Sequence, residues 1–432
     1  MSSETTTNSA VDDTTPARVP KLRFPEFREA AGWHFVPLNR LAIRAKQKNR
    51  DEQIDRVLTN SAEFGVVDQR DFFDKDIATQ GKLEGYFVVE LGSYVYNPRT
   101  SSTAPVGPIS KNKIGTGVMS PLYTVFKFKD DMNEFYEHFF KTTGWHTYMR
   151  RASSTGARHD RMAISSDDFM AMPLPVSSPA EQQKIAACLS SLDELIAAQA
   201  RKVYALKTYK QALMQQLFLR EGETRPRLRF PEFQKTGEWE IKTIGDIFET
   251  SAGGTPERSK PEYWNGSIPW VTTSLVDFNV ISCAEEFITN EGLKNSSAKI
   301  FPKHTVLVAL IGQGKTRGKV ALLDCEASTN QNCAAILPTE VVIPNFTFLN
   351  LCSRYEEIRA LSNTAGQGSL SQGLIRTLPF GFPKDKAEQQ RIALCLTRLD
   401  DLIAAQIQKH EALKSHKKGL MQQLFPTQEK VA

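Results

Sequence analysis

The segment Ala309–Thr316 (ALIGQGKT) carries residue types that could bind phosphate, because it joins glycines to a lysine and a threonine. In a phosphate-binding loop, backbone N–H groups hold the phosphates and the loop leads from a strand into a helix. Here an alanine stands at the first glycine position, and the following residues (GKTRGKVALLD) predict another strand. We therefore expect a hairpin that presents polar side chains outward: Gln313, Lys315, Thr316, Arg317 and Lys319. A nucleotide-dependent enzyme built on this loop stays open as an alternative.

A second candidate site is the basic segment Arg150–Arg161 (RRASSTGARHDR). Arginine offers two parallel donors, which match the edge of guanine in the major groove of DNA, and it also binds phosphate. A solvated surface turn after a helix is the alternative interpretation. The candidate DNA-binding residues of this half of the chain are Arg99, Lys111, Lys113, Arg150, Arg151, Arg158, His159 and Arg161.

The other half of the chain is rich in side-chain amides where the first half is basic. The segments Ser328–Cys333 (STNQNC) and Ser362–Gly373 (SNTAGQGSLSQG) contain asparagine and glutamine, which can bind adenine through two hydrogen bonds. Amide clusters also occur in simple turns, which is the alternative interpretation. The candidates here are Asn330, Gln331, Asn332 and Gln367.

Motifs of catalysis and metal binding do not occur in the sequence. We find no N/D-P-P-Y/F tetrapeptide of amino-methyltransferases, no glycine-rich cofactor loop after a strand, no nuclease core and no H-E-x-x-H helix. The seven histidines show no ligand spacing. We therefore expect a chain without catalytic residues and without a metal site.

Two long stretches of the chain are near copies of each other. Ala180–Phe218 returns at Ala387–Phe425 with a shift of 207 positions, and 26 of the 39 aligned residues are identical. The sequence LRFPEF also occurs twice, at Leu22–Phe27 and Leu228–Phe233, with a tryptophan after each copy. An internal repeat sets the architecture, so we expect the order globular segment, helix, globular segment, helix. Such symmetry suits a target in two parts.

The repeated stretch has the apolar spacing of a coiled coil. Apolar residues recur at alternating steps of four and three. Gln199 and Gln406 interrupt the pattern at one repeat position, and Lys210 and Lys417 at another. Such polar pairs fix register, unless the helices curve and these positions face water. The predicted seam comprises Ile185, Leu189, Leu192, Ile196, Gln199, Ile392, Leu396, Leu399, Ile403 and Gln406. Chain order favours antiparallel helices with one globular domain at each end.

Strand-like runs with glycine and proline turns fill both globular segments, which indicates an α+β fold. We predict strands within 85–98, 117–128, 267–276, 305–312 and 319–324, and one helix over 132–151. The predicted segments are a disordered tail (1–20), a first globular domain (21–178), a first helix (179–218), a linker (219–227), a second globular domain (228–385), a second helix (386–425) and a C-terminal tail (426–432).

Composition places the chain among ordinary globular proteins, with 40% apolar and 24% charged residues. No apolar run approaches the roughly 20 residues that span a membrane, and the N-terminus lacks the apolar core of a signal peptide. The six cysteines form no C-x-x-C pair, which favours reduced thiols and a cytoplasmic location. The net charge of +5 is too small to indicate nucleic acid unless the basic residues are clustered.

Near-identical long helices that alternate with two divergent domains resemble the specificity subunit of type I restriction–modification enzymes, the HsdS family. The strongest motifs are the helix openings, PAEQQKIA and KAEQQRIA, and the closing LMQQLF, which occurs twice. The run IGQGKTRGKVALLD with STNQNCAAILP is similar to one class of target-recognition domain. The run GSYVYNPRTSS with GPISKNKIGTGVMSPLYTVFKF resembles another class.

The resemblance implies two α/β target-recognition domains in tandem pseudo-repeat, separated by two long antiparallel coiled-coil helices. Each domain would bind one half of a bipartite site in double-stranded DNA, and the helices would set the unread spacer. Expected partners are two modification (methyltransferase) subunits and the restriction or motor subunits. S-adenosylmethionine, and ATP and Mg²⁺ for restriction, would be bound by those partners and not by this chain. A coiled-coil adaptor without DNA reading, and a methylation-only assembly, stay open as alternatives.

Overall fold

The computed structural model of the chain describes residues 18–72, 83–153, 160–312, 315–361 and 370–426. The chain divides into two compact units: unit 1 holds residues 1–198 and 409–432, and unit 2 holds residues 199–408. Each unit therefore contains one globular domain, the first half of the helix that follows it and the second half of the other helix. The two predicted tails lie outside the described residues except for 18–20 and 426.

The elements of the first part of the chain run as far as the first long helix. They are β1 (His34–Pro37), α1 (Leu38–Leu41), β2 (Ala42–Arg44), β3 (Leu58–Ser61), β4 (Gly65–Asp68), α2 (Gln69–Phe72), β5 (Phe87–Val89), β6 (Tyr94–Tyr96), β7 (Ile109–Lys111), β8 (Gly117–Met119), β9 (Thr124–Phe128), α3 (Glu134–Phe140), α4 (His146–Ala152), α5 (Ser166–Met170), β10 (Pro173–Val176) and α6 (Pro179–Leu217).

The second part of the chain has a similar series and ends on the second long helix. Its elements are β11 (Glu240–Thr243), α7 (Ile244–Ile247), β12 (Thr250–Ala252), β13 (Trp264–Val271), β14 (Asn279–Ile281), β15 (Glu286–Ile288), α8 (Asn290–Lys294), β16 (Val306–Ala309), β17 (Val320–Leu323), β18 (Ser328–Thr329), β19 (Cys333–Ile336), α9 (Pro344–Ser353), α10 (Tyr355–Ala360), α11 (Gln372–Thr377), β20 (Pro379–Phe382) and α12 (Lys386–Leu424). Within the described ranges, no helix has both the length and the apolar character needed to cross a membrane.

Both units contain the same central sheet. Its strand order is β2-β9-β6-β7 in unit 1 and β12-β19-β16-β17-β14 in unit 2. The first four strands correspond in order and are all antiparallel to their neighbours. β14 pairs in parallel with β17 and is an addition in unit 2. A two-stranded ribbon accompanies each sheet, β1-β10 in one unit and β11-β20 in the other. Domains whose sequences diverge in the middle therefore share one topology.

The predicted α+β fold with long helices is confirmed, whereas the predicted single helix over 132–151 is wrong. Two short helices, α3 and α4, occupy that range. The break falls at Lys141–Trp145, where Thr142 Oγ1 donates to the carbonyl oxygen of Phe139 and Trp145 Nε1 donates to that of Phe140. These bonds occupy carbonyl groups that a continuous helix would use for its own backbone ladder.

Each long helix is an uninterrupted run of 39 residues. α6 starts on a proline, whose missing N–H costs nothing at a helix N-terminus. In unit 2, Gln199 Nε2 donates to Gln406 Oε1 (3.0 Å), and Lys210 Nζ lies 2.5 Å from Asp400 Oδ1. Residue number rises along one helix as it falls along its partner, so these halves are antiparallel. In unit 1, Lys417 pairs with Asp193 in the equivalent way.

A buried ion pair fixes the start of each long helix to its own domain. In unit 1, Arg23 binds both carboxylate oxygens of Glu181 at 2.6 and 2.7 Å, and Trp33 Nε1 donates to the same carboxylate. The counterparts Arg229, Glu388 and Trp239 make the same contacts in unit 2; Arg229 belongs to the repeat LRFPEF, Glu388 to the repeat EQQ, and Trp239 follows the second LRFPEF. We call these two sets the anchor clusters. They explain why the short LRFPEF motif recurs together with the long helix.

Candidate nucleic-acid interface

In each unit, several loops meet at one end of the strands of the central sheet. In unit 2 the pairs Val308–Val320 and Ala252–Ala334 place the ends of β16 and β12 beside the starts of β17 and β19. In unit 1, Tyr96 at the end of β6 lies opposite Ile109 and Thr124, at the starts of β7 and β9. We call these the loop edges. The loop edge of unit 1 comprises residues 44–50, 97–108 and 160–162, and that of unit 2 comprises 253–258, 272–278, 310–312, 315–319 and 330–332.

The chain returns to the central sheet in the same way at the end of the basic segment 150–161 and at the end of the polar segment 362–373. The N–H of Met162 donates to Pro98 O (2.9 Å), and the N–H of Leu370 donates to Leu310 O (3.1 Å). Pro98 and Leu310 follow the equivalent strands β6 and β16. Four candidate residues of these loops lie outside the described residues: Arg158, His159, Gln313 and Gln367.

The loop edge of unit 1 presents paired arginines. Arg99 and Arg161 lie opposite each other in a short antiparallel bridge, and opposed residues point to the same side. Arg99 is exposed, while Arg161 is half-buried with its Nε 3.8 Å from Asp160. Two guanidinium groups on one face suit phosphate or guanine. Arg150 and Arg151, both exposed, stand in the last turn of α4, where the chain leaves for this loop.

The predicted candidates Lys111 and Lys113 do not join this loop edge. Lys111 ends β7 at the far end of the strand, and its ammonium group pairs with Glu134 at 2.8 Å. Lys113 pairs with Glu137 at the same distance. Both lysines thus fasten the sheet to α3, because each finds a carboxylate on that helix.

Sequence reasoning missed a basic segment that directly follows β2 at this loop edge. Residues 44–50 (RAKQKNR) place a basic residue at every second position, and alternate residues of an extended segment point to one side. The segment is extended, since its backbone bonds to residues 86, 88 and 125. The alternation of basic residues is visible in the sequence, whereas the position of this segment at the loop edge depends on how the strands of the sheet pair. The four residues are Arg44, Lys46, Lys48 and Arg50.

The amide cluster of unit 2 lies between β18 and β19, at the loop edge. Asn330 Oδ1 accepts from Thr273 Oγ1 (3.0 Å) and from the N–H of Asn332 (3.1 Å), and Gln331 Oε1 accepts from Thr255 Oγ1 (2.6 Å). The amide oxygens are therefore used inside the protein. Gln331 is exposed, so its NH₂ group is the donor that it offers to a ligand.

The hairpin between β16 and β17 is not a phosphate-binding loop, because a strand follows it. Lys315 is exposed, while Thr316 and Arg317 are half-buried. Lys319 pairs with Asp277 at 2.6 Å. Tyr355 on α10 donates its hydroxyl to the backbone oxygen of Lys315 at 2.7 Å. Of the described side chains that were predicted to face outward, Lys315 is exposed, whereas Thr316, Arg317 and Lys319 are half-buried.

A glycine pair lets the segment 253–258 pack directly on the amide turn. A Cβ on Gly253 would lie 2.1 Å from Thr329 O, so no other residue fits there. Farther along, Arg258 stacks on Trp264, 3.8 Å from the ring centre, and pairs with Glu286. This segment was also missed by the sequence reasoning. It holds Thr255 in place to bind Gln331.

Among the described residues at the loop edge of unit 2, no reactive side chain stands out. Burial raises the pKa of the Cys333 thiol at the start of β19, so the thiol stays protonated and is a poor nucleophile. Within the described ranges, no three His, Cys, Asp or Glu side chains are arranged to hold a metal ion. The groups that gather here are hydrogen-bond donors suited to binding.

The predicted seam residues are buried or half-buried in both long helices. Ile185, Leu189, Ile392 and Leu396 are at most 2% exposed and join the cores of their own units. Leu192, Ile196, Leu399 and Gln406 are half-buried, and Ile403 and Gln199 are buried. Elsewhere on these helices, apolar residues at equivalent repeat positions stay exposed: Leu195 at 47% and Leu402 at 43%.

Known proteins resemble part of this chain in sequence. Residues 236–415 match the family model of the type I restriction modification DNA specificity domain. The chain is 32% identical over 173 residues to the EcoR124I/EcoR124II specificity subunit of Escherichia coli, covering 39% of this chain and 42% of that protein. It is 30% identical to the MjaIX specificity subunit of Methanocaldococcus jannaschii, covering 41% of each. These matches span less than half the length of either relative.

The fold extends the likeness over nearly the whole chain. The crystal structure of the S subunit of a type I restriction-modification system from M. genitalium superposes with a TM-score of 0.54 at 15% identity, covering 95% of this chain and all of that one. At this identity the likeness concerns the fold alone. Residues 236–415 thus resemble the type I restriction modification DNA specificity domain in sequence, and the whole chain resembles an S subunit in fold.

Proposed function

We propose that this chain is the DNA-reading subunit of a type I restriction–modification assembly, in which each loop edge binds one half of a bipartite site. The observation that carries the proposal is the pair of loop edges, which have one topology and different donor groups. Arg99 and Arg161 on the unit 1 edge and the amide of Gln331 on the unit 2 edge match the two kinds of base contact that discriminate in the major groove. Arg258 of the unit 2 edge instead stacks on Trp264 and pairs with Glu286. Two domains with one topology and different side chains at their loop edges suit a site with two unlike halves.

The long helices support a role as spacer and docking surface. Each is continuous for 39 residues, and a rigid helix of fixed length is a suitable measure of the unread bases. Leu195 and Leu402 occupy the same repeat position, 207 residues apart, and both are exposed. Two equivalent apolar positions suit two equivalent partners, the modification subunits. Those subunits would bind S-adenosylmethionine, and motor subunits would bind ATP and Mg²⁺, while this chain performs no chemistry itself.

The test is to map N6-methyladenine across the genome of a host that expresses this chain with its modification partner. We expect a split motif with a fixed unread gap, which disappears when this chain is deleted. An assembly whose chain lacks the matched heptads 192–198 and 399–405 should methylate a motif with the same halves and a shorter gap. An active partner whose methylation pattern does not depend on this chain would rule the proposal out.

A further inference from the structure

A groove lined by lysines occurs at the same place in each unit. In unit 1 it has a volume of about 480 Å³ and lies between the second half of α12 and the α3–α4 junction. In unit 2 it has a volume of about 410 Å³ and lies between the second half of α6 and the α9–α10 junction. The helix residues are 207 positions apart: Lys414, Lys417 and Lys418 in unit 1, and Lys207, Lys210 and Gln211 in unit 2.

Each groove continues to the loop edge of its unit. In unit 2, Tyr355 and Phe278 line the groove and also contact the β16–β17 hairpin: the Tyr355 hydroxyl bonds to Lys315 O, and Lys319 Nζ lies 5.9 Å from the Phe278 ring centre. In unit 1, Lys141 and Thr143 line both the groove and an adjoining cavity whose other wall includes residues 103–110. A polymer bound at the loop edge could therefore reach the groove of the same unit.

The charge of the two grooves differs. Lys417 and Lys210 are neutralised by Asp193 and Asp400 across the helix pair, and so belong to the helix seam. In the described part of the chain, no carboxylate lies within 4 Å of the exposed Lys418, and Lys414 contacts Glu411, which does not line the groove.

The lining of the unit 1 groove contains no acidic residue among those described, whereas Glu356 lines the unit 2 groove. Gln211 replaces the equivalent of Lys418 there. The unit 1 groove is thus the more positive of the two.

We propose that the unit 1 groove binds the phosphate backbone of duplex DNA next to the half-site read by the unit 1 loop edge, with Lys414 and Lys418 as the phosphate ligands. This rests on the proposed DNA-reading function. Contacts to phosphates add affinity and register without reading sequence, which suits lysines that lie beside a loop edge and not on it. The unit 2 groove, with Gln211 and Glu356, contributes less.

The test measures how the affinity of the assembled complex for a duplex carrying its mapped motif depends on salt. Each phosphate contact adds about 0.9 to the slope of log affinity against log salt. We expect Lys418→Gln to lower the slope by about 0.9, and Lys414→Gln with Lys418→Gln to lower it by about 1.8. The reverse change, Gln211→Lys, should raise the slope by about 0.9. The mapped motif should stay the same in every variant.

A matched control removes the same charge elsewhere on the two helices. Lys202 and Lys409 are exposed, stand 207 positions apart and line neither groove, so Lys202→Gln with Lys409→Gln should leave the slope unchanged. Groove variants that behave like this control would overturn the inference. Groove variants that lose the modification subunit while keeping the slope would show a protein-binding groove and overturn it as well. A wild-type complex without any motif would instead defeat the proposed function itself.

Discussion

The loop edge of unit 1 carries Arg99, Arg161 and the basic segment 44–50, whereas that of unit 2 carries Gln331, the exposed Lys315 and Arg258, which pairs with Glu286. Their central strands differ as well. Aromatic residues lie on β6 and β9 of unit 1, whereas β16, β17 and β19 of unit 2 are buried along their whole length and carry no aromatic residue. The anchor clusters are nevertheless the same in both units, contact by contact.

The comparison separates the residues that attach each domain to its helix from the residues at its loop edge. Side chains that attach the domain to its helix are duplicated in type and position, while side chains at the loop edge are not. The loops of such a domain can change without disturbing its attachment to the helices, because no residue of the anchor clusters belongs to a loop edge. The following variants should break or sharpen that division.

The largest effect is expected at the anchor clusters. Glu181→Ala leaves Arg23 buried without its carboxylate, and Glu388→Ala does the same to Arg229. Removing one partner of a buried ion pair costs about 3–5 kcal/mol of unfolding free energy. We expect nearly equal losses, each confined to the altered unit and measured by native-state hydrogen exchange read separately in the two units.

An exposed pair in unit 1 provides the control for these variants. Glu26 lies 3.2 Å from Lys184 at the surface, so Glu26→Gln should leave the protection of unit 1 unchanged. Strongly unequal losses for Glu181→Ala and Glu388→Ala would mean that the two attachments are alike in geometry but not in energy.

The second-largest expected effect is a difference between the two units in how much stability they lose as the pH falls. Burial, and secondarily Lys141 and Lys417, lower the pKa of His138 to about 4. Burial and Arg150 likewise lower the pKa of His146 to about 4. The unfolded chain takes up these protons near pH 6.5, so stability present above that pH is lost as the pH falls towards 4. For His138 the loss amounts to about 3 kcal/mol.

Unit 2 contains one histidine, His304, and its side chain is exposed. Hydrogen exchange between pH 7 and 4 should therefore show unit 1 losing protection first. His138→Gln should reduce the pH dependence of unit 1 and leave the part that comes from His146, whereas His304→Gln should change neither unit. Parallel acid loss in both units would contradict the assignment to His138 and His146.

Much of the architecture followed from the sequence because its signals are local. The long helices depend on a repeated apolar period, and the β16–β17 hairpin depends on two apolar runs around glycines. The break between α3 and α4 was missed, although the aromatic spacing changes from four residues (Phe135 to Phe139) to six (Phe139 to Trp145) and Gly144 lies at the break.

The candidate site was less accessible to sequence reasoning because it depends on contacts between distant residues. Lys111 and Lys113 are basic residues beside a basic loop, yet carboxylates on α3 neutralise them. The residues 44–50 carried a visible alternation, but only the pairing of β2 with β9 places them at the loop edge. A net charge or a motif does not contain that information.

The smallest expected effect tests whether the loop edges read independently. Replacing Gln331 with alanine removes an exposed amide whose oxygen is fixed by Thr255, and a base contact of this kind is worth about 1–3 kcal/mol of discrimination. We expect Gln331→Ala to relax the methylated motif at one position in one half only, and Arg99→Ala to relax the other half. Lys111→Gln, which removes charge from the far end of β7, should leave both halves intact. If either loop-edge variant relaxed both halves at once, the two edges would act on one shared stretch of DNA, and a duplicated frame with two separate contents would no longer describe how the protein reads.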